Sequence, residues 1–364
     1  MRVLFYSAAV DPTGDGGYTV SAPGHYRIEM PCFALQHLGH HQAALVPWLV
    51  SSSVGAAGFS SSPKQDSIVP DAEIVVLQAL IGADAIKAAR RSGQVVVVDL
   101  TDAWDFPEQH VERAALQEFI PRMEAMVNAA TAITVSSDFL RNWIRQRLPE
   151  CPPIHVVRNA IYLDEWQAQK RIPTATTVLG WNGSLGERAD DFAVMRPWLG
   201  DFLERHDLKF VHVGGKAGEP LFAEMAGIDP ARLEIRPARS LADFRTTQPL
   251  AGVDLQLVPL TGQHVYSRAK SALKGLESAA MGVPFVASPH DEYQRLGFGR
   301  LAGTDLDRQE PRDWIAAVEP LLDPAERAKV ADEARAAVAA QDIRVRWHDW
   351  ETVYGDLLGS TWSP

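Results

Sequence analysis

The chain has 364 residues, 46% hydrophobic and 22% charged, so globally disordered classes are excluded and, at roughly 150 residues per domain, two domains with real cores are expected. Lys plus Arg total 35 against 46 Asp plus Glu, a formal net charge of −11, which argues against a phosphate-coating nucleic-acid binder. The two cysteines, Cys32 and Cys151, are too few for a disulfide framework, and no apolar run reaches the ~18 residues of a membrane span.

Short apolar, β-branched runs punctuate the chain at 3–6, 43–47, 74–78, 95–100, 132–136 and 154–158, then at 178–181, 210–213, 233–236, 255–258 and 284–287. Most are continuous rather than alternating, the pattern of strands buried on both faces of a parallel sheet. Helical patterns fill the intervals. One is expected over 107–130, where Val111, Ala115, Phe119, Met123 and Met126 fall at helical spacing. Another runs over 138–148 behind the capping pair Ser136-Ser137, and others over 190–205, 271–281 and 311–322. This alternation predicts an α/β chain with right-handed crossovers.

The alternation pauses once, over the polar stretch 164–177 that carries Pro173, where a hinge is expected. The expected units are residues 1–165 and 176–340, each Rossmann-like, with a helix over 341–364 packing back toward the N-terminal unit. On that helix Trp347, Trp350 and Tyr354 share one face. The Ser/Gly/Ala-rich segment 51–67 reads as a surface loop. His212, inside an apolar strand, reads as a packed histidine.

Two segments invite chemistry on their residues alone. The helix expected from Ser271 has small residues around its start, where free N–H groups and the helix dipole favour a phosphate. Lys270 and Lys274 add cations there, and Glu277 is a carboxylate suited to the two hydroxyls of a ribose. The alternative is an amphipathic helix with solvated Lys and Glu. The run 95–105, Val-Val-Val-Val-Asp-Leu-Thr-Asp-Ala-Trp-Asp, is an apolar strand ending in carboxylates and an aromatic. Strand C-termini in open α/β sheets point into the ligand crevice. Asp102 is therefore either a hydrogen-bond acceptor toward a substrate hydroxyl, with the role of base should the reaction invert, or, like Asp99, a cap of the next helix. Trp104 is a candidate for stacking on a sugar. Gly16 and Gly17 follow the first strand, but their spacing is not the dinucleotide fingerprint. No metal-ligand motif and no serine-nucleophile elbow appears.

The segment 277–288, Glu-Ser-Ala-Ala-Met-Gly-Val-Pro-Phe-Val-Ala-Ser, resembles the donor-site motif of family 4 glycosyltransferases, which have the GT-B fold. Their pattern is E-x7-E followed by small residues and Gly-x-Pro. Glu277, Gly282 and Pro284 match it, while Ala269 stands where the first Glu belongs. The segments 178–191, 22–40 and 155–161 also resemble that family. The likeness implies a two-domain α/β GT-B enzyme with parallel sheets facing a cleft. It would transfer a hexose from a UDP- or GDP-linked sugar, with retention of configuration and without a metal or other cofactor.

It also implies roles for residues. The diphosphate would lie on the amides of Ala272 and Leu273, balanced by Arg188, Lys270 and Lys274, with Gly16 and Gly17 approaching the donor. Glu277 would hold the ribose, and Arg236 and Pro237 would border the nucleobase. Asp102 and His25 are the catalytic candidates, Arg27 and Trp104 the acceptor-side ones. The acceptor is open among small molecule, glycan, lipid and protein. A GT-B sugar-nucleotide epimerase and a non-catalytic nucleotide-sugar binder are the alternatives, with a Rossmann oxidoreductase, disfavoured by the missing dinucleotide fingerprint, as the third. With no signal peptide at the opening strand, the expected location is cytoplasmic, peripheral membrane association remaining open.

Overall fold

The computed structural model describes residues 1–7, 10–12, 18–47, 71–78, 81–108, 113–166, 176–215, 227–237, 241, 250 and 252–359. The N-terminal strands are β1 (Arg2–Ser7), β2 (Val10–Pro12), β3 (Tyr18–Val20), β4 (Gln42–Pro47), β5 (Ile74–Gln78), β6 (Val95–Leu100), β7 (Ala132–Val135) and β8 (Ile154–Val156). Six of them form one sheet in the order β4-β1-β5-β6-β7-β8, with every pairing parallel. β2 and β3 make a separate antiparallel pair. The C-terminal strands are β9 (Val178–Asn182), β10 (Lys209–Gly215), β11 (Leu233–Pro237), β12 (Leu255–Val258), β13 (Phe285–Ala287) and β14 (Arg300–Leu301). They form a second parallel sheet in the order β11-β10-β9-β12-β13-β14.

The continuous apolar runs are buried as both-face burial requires: Ile74, Val75, Val76 and Leu77 are fully covered, as are Val96, Val97 and Val98. Each sheet reverses direction next to its first strand, between β1 and β5 and between β9 and β12. Such a reversal opens a crevice at the carboxyl ends of the strands. Ser7 and Gln78, hydrogen-bonded at 3.1 Å, border the first crevice, and Asn182 and Val258 border the second.

Three expected helices are broken, each at a proline. The 107–130 pattern resolves into Arg113–Gln117 and Ile120–Ala129, with Pro121 in the first turn of the second. The 190–205 pattern becomes Leu185–Ala193 and Leu199–Arg205, with Pro197 in the gap. Pro320 converts the end of 311–322 into a short 3₁₀ turn, Glu319–Leu322. A proline removes an N–H and clashes with the preceding turn, so helical spacing continues across it while the helix does not.

The C-terminal helix Ile343–Leu358 lies on the N-terminal unit. Trp350 and Tyr354 are fully buried; the Tyr354 ring sits 6.2 Å from Phe5, and His41 meets Glu351 at 2.8 Å. The chain returns beside its outward path, where Ile161 bridges Asp342 and Arg344 pairs with Asp164 at 2.9 Å. Further bonds join the two units: Ser137 Oγ donates to the Ala269 carbonyl at 3.0 Å, Asn159 Nδ2 to Ser271 Oγ at 2.9 Å, and Arg158 Nε to Glu292 at 2.9 Å.

Candidate active site in the interdomain cleft

The cleft side of the C-terminal unit is built on the segment after β12. A short helix, Val265–Arg268, delivers Lys270 and Ser271 to the start of the helix Leu273–Ala280. Among the described residues no side chain caps that start at Ala272, whose backbone is outside the helical region. Gly275 has the Phe285 and Tyr293 rings against it, so the helix lies close on its own unit.

Three cations converge near the helix start. Lys270 Nζ lies 3.5 Å above the Tyr266 ring and pairs with Asp102 of the N-terminal unit. Lys274 Nζ donates to the Asn182 carbonyl and stands 5.4 Å from the Trp181 ring. Arg188, at a kink in the helix Leu185–Ala193, pairs with Asp191 at 3.3 Å and lies 5.9 Å from the same Tyr266 ring.

Burial, with Arg188 beside it and despite Asp102, pulls the Lys270 ammonium down to about 8. Burial and Arg188 bring Lys274 down to about 7. Burial acts against the charge of Arg188 as well, but Asp191, Tyr266 and Asp102 together hold the guanidinium above its ordinary range. Burial works against the Asp102 carboxylate, and Lys270 overcomes that, keeping it below the usual range. Repelling cations under partial burial favour an anion with more than one negative charge.

The loop after β9 is clamped. Gly183 N donates to the Val213 carbonyl at 2.8 Å, and His212 Nε2 meets the Gly183 carbonyl at 2.8 Å. Gly214 has φ +113°, and a Cβ there would lie 2.6 Å from the Gly183 oxygen. A Cβ on Gly183 would lie 3.2 Å from Lys274 Nζ. Both glycines let backbone approach backbone and ammonium closely. His212 is buried as its apolar strand implies, and it stacks on Trp181 at 4.8 Å.

Glu277, one turn into the helix, is 6% exposed and accepts a 2.8 Å hydrogen bond from the Tyr26 hydroxyl. Ala269 is fully buried against the core of the N-terminal unit. Arg236 pairs with Glu234 at 2.7 Å at the end of β11, and Pro237 closes that strand beside Gly215.

The N-terminal face departs from expectation. Arg27 is fully buried; its guanidinium takes Asp99 at 3.0 and 2.6 Å, the Val157 carbonyl, and Asn159 at 3.3 Å. Thr134 Oγ1 donates to the same Asp99 at 2.7 Å. Arg27 is thereby a framework residue rather than an acceptor-side one, because its charge is neutralised inside the fold. Trp104 is 2% exposed, donates through Nε1 to Glu124 at 3.2 Å and meets Trp143 edge-on at 4.7 Å, so its ring is packed and presents no face to a sugar. The buried His25 lies 2.6 Å from Glu29 and 3.1 Å from Glu165, both of which flank it. Gly16 and Gly17 lie outside the described residues.

Four further residues contact the side chains of the candidate site. Tyr266 precedes Lys270 by four, a helical neighbour spacing that is available as a signal. Asp191 stands three residues after Arg188, also a helical neighbour spacing, whereas Asn182 and Tyr26 reach Lys274 and Glu277 only through folding.

No protein-family model and no curated protein matches the chain. Solved structures do. A sucrose-phosphate synthase from Thermosynechococcus elongatus aligns with TM-score 0.66 and 11% identity over 99% of this chain and 100% of its own. A glycosyltransferase from Rickettsia africae aligns with TM-score 0.65 and 11% identity over 99% of each chain. Anabaena HepE in complex with UDP and glucose aligns with TM-score 0.61 and 14% identity over 97% of this chain and 99% of its own. The fold is GT-B: two six-stranded parallel, Rossmann-like units across a cleft. Among the described residues no group of His, Cys, Asp and Glu forms a metal cluster, and no helix is long and apolar enough to cross a membrane.

Proposed function

We propose that the protein is a glycosyltransferase that moves a hexose from a UDP- or GDP-linked sugar to an acceptor hydroxyl, with retention of configuration. The observation that carries this reading is the convergence of Arg188, Lys270 and Lys274 on the uncapped start of the helix Leu273–Ala280. Lys270 and Arg188 each pair with one carboxylate while Lys274 meets the Asn182 carbonyl, so three cations stand against two paired carboxylates and a diphosphate adds the further negative charge. The amides of Ala272 and Leu273 extend the same site through the helix dipole. Glu277, one turn further along, is placed to accept hydrogen bonds from a ribose diol.

The chemistry follows from charge. As the glycosidic bond breaks, negative charge builds on the leaving diphosphate, and cations fixed in advance stabilise it without reorganisation. We assign Asp102, held ionised by Lys270 across the cleft, to accept a hydrogen bond from the incoming hydroxyl. The nucleotide-sugar complexes of Anabaena HepE, which shares the fold, support the substrate class.

A non-catalytic nucleotide-sugar binder is the second reading. It is favoured by Ala269, whose buried methyl leaves no carboxylate at that position. Calorimetry with UDP and GDP tests the site: Glu277→Ala should weaken binding with the fold intact, and unchanged affinity would remove the assignment. Release of UDP or GDP from the matching sugar nucleotide, in the presence of an acceptor pool, separates enzyme from binder.

A further inference from the structure

The first cleft-facing helix of the N-terminal unit carries a wider turn. Residues Ala22–Gly24 are α-helical, His25–Glu29 form a π turn closed by Met30 N–H on the His25 carbonyl, and Met30–His37 return to α. π turns inside α-helices re-aim side chains and recur at functional sites. Here the turn presents three consecutive buried residues to four partners: His25 to Glu29 and Glu165, Tyr26 to Glu277, and Arg27 to Asp99. The His25 and Arg27 contacts stay within or beside the N-terminal unit. The Tyr26 bond reaches the helix Leu273–Ala280 of the other unit.

We infer that Tyr26 is a positioning residue for Glu277, orienting its carboxylate toward a ribose and thereby linking nucleotide recognition to closure of the two units; this rests on the reading of Glu277 as the ribose-binding group. The geometry fits the task. Tyr26 is fully buried, so its hydroxyl is a fixed point and not a swinging arm. It lies edge-on to the His25 ring at 5.1 Å, and its 2.8 Å bond goes to Glu277 Oε1. A hydrogen bond to a charged acceptor is among the stronger ones, enough to select one carboxylate rotamer. Because donor and acceptor belong to different units, the oriented carboxylate exists only when the units are together.

The test compares UDP and GDP with their 2′-deoxy counterparts by calorimetry on the full chain. The unmodified protein should prefer the ribose forms, and Glu277→Ala should abolish that preference. Tyr26→Phe should weaken the ribose form by roughly 10-fold and the 2′-deoxy form, which keeps only its 3′-hydroxyl for Glu277, by clearly less. In the Glu277→Ala background the same substitution should change neither.

Equal loss for both forms would mean that Tyr26 only holds the fold, and an unchanged ratio would mean that it does not orient Glu277; either overturns the inference while the Glu277 reading stands. Absence of any ribose preference in the unmodified protein would remove the Glu277 reading, and this inference with it. Should Tyr26→Phe fail to fold, 3-fluorotyrosine placed at position 26 alone keeps the phenol. Its ¹⁹F resonance should move on adding UDP or GDP and much less on adding the 2′-deoxy form. Equal movement would overturn the inference.

Discussion

Lys270 and Asp102 form an ion pair across the cleft, and the Lys270 ammonium rests 3.5 Å above the Tyr266 ring. Asp102 follows β6 and Lys270 precedes the candidate phosphate-binding helix, so the pair both ties the units together and occupies a cation of the proposed donor site. Asp102→Asn is expected to lower the stability of the nucleotide-free protein by about 1.5–3 kcal/mol, the worth of a hydrogen bond to a charged group. It should at the same time tighten UDP or GDP binding, because a carboxylate beside the diphosphate is gone. Chemical denaturation and calorimetry measure the two effects, which should carry opposite signs.

The depressed ammonium of Lys274 makes both stability and binding depend on pH. Its value falls from 10.5 to about 7 on folding, chiefly through burial and then through Arg188. Between those values the unfolded chain holds the extra proton, so this group's contribution to stability rises as pH goes from about 7 toward 10.5. Anion binding has the reverse dependence, since the ammonium is the binding form. UDP or GDP affinity should fall as pH is raised from 6 through 8, and Lys274→Met should flatten that profile while stabilising the free protein near pH 6. A thermal-shift series across pH, with and without nucleotide, checks both signs.

Gly214 has a positive φ and backs directly on the Gly183 carbonyl. Gly214→Ala puts a methyl 2.6 Å from that oxygen and leaves a non-glycine residue at φ +113°. A loss of about 1–3 kcal/mol is expected from the strained backbone. The loop that receives Lys274 through the Asn182 carbonyl should shift with it, so nucleotide affinity should fall more than stability alone explains. Equilibrium unfolding paired with calorimetry separates the two.

Arg27 and Asp99 are a buried ion pair inside the N-terminal unit, with side chains 0% and 1% exposed. Removing one partner strands the other charge away from water. Arg27→Met or Asp99→Leu should therefore cost about 3–5 kcal/mol, and the double variant should recover most of it. A double-mutant cycle by urea unfolding measures the coupling. A functional role for Arg27 would appear instead as lost nucleotide binding at unchanged stability.

Trp350 is fully buried between the C-terminal helix and the N-terminal unit, with the Arg27 guanidinium 5.7 Å from its ring. Trp350→Ala should destabilise by about 3–5 kcal/mol, as large core deletions do. Protection of the Ile343–Leu358 amides in hydrogen exchange should fall first.

Much of this architecture is local. Continuous Val and Ile runs declare buried parallel strands because a strand covered on both faces has no polar positions to alternate with. Where four apolar residues follow one another, as in Val95–Val98, no one-face reading competes. The helix over Leu273–Ala280, its flanking lysines and Glu277 are legible for a related reason: a start signal, a spacing and a following strand lie within one stretch of chain. The broken helices are legible only in part, since apolar spacing persists across Pro121, Pro197 and Pro320 while hydrogen bonding does not.

What folding alone decided is pairing at a distance. Nothing near Arg27 announces Asp99, 72 residues away, or that the pair would be buried rather than facing a ligand. Trp104 reads equally well as a sugar platform or a packed ring until Trp143 and Glu124 close around it. Tyr26 and Glu277 are 251 residues apart. Composition and spacing determine which elements form and where a phosphate-friendly helix begins, because those depend on neighbours along the chain. Which charges are left to bind a ligand depends on neutralisation through space, and only the tertiary structure sets that.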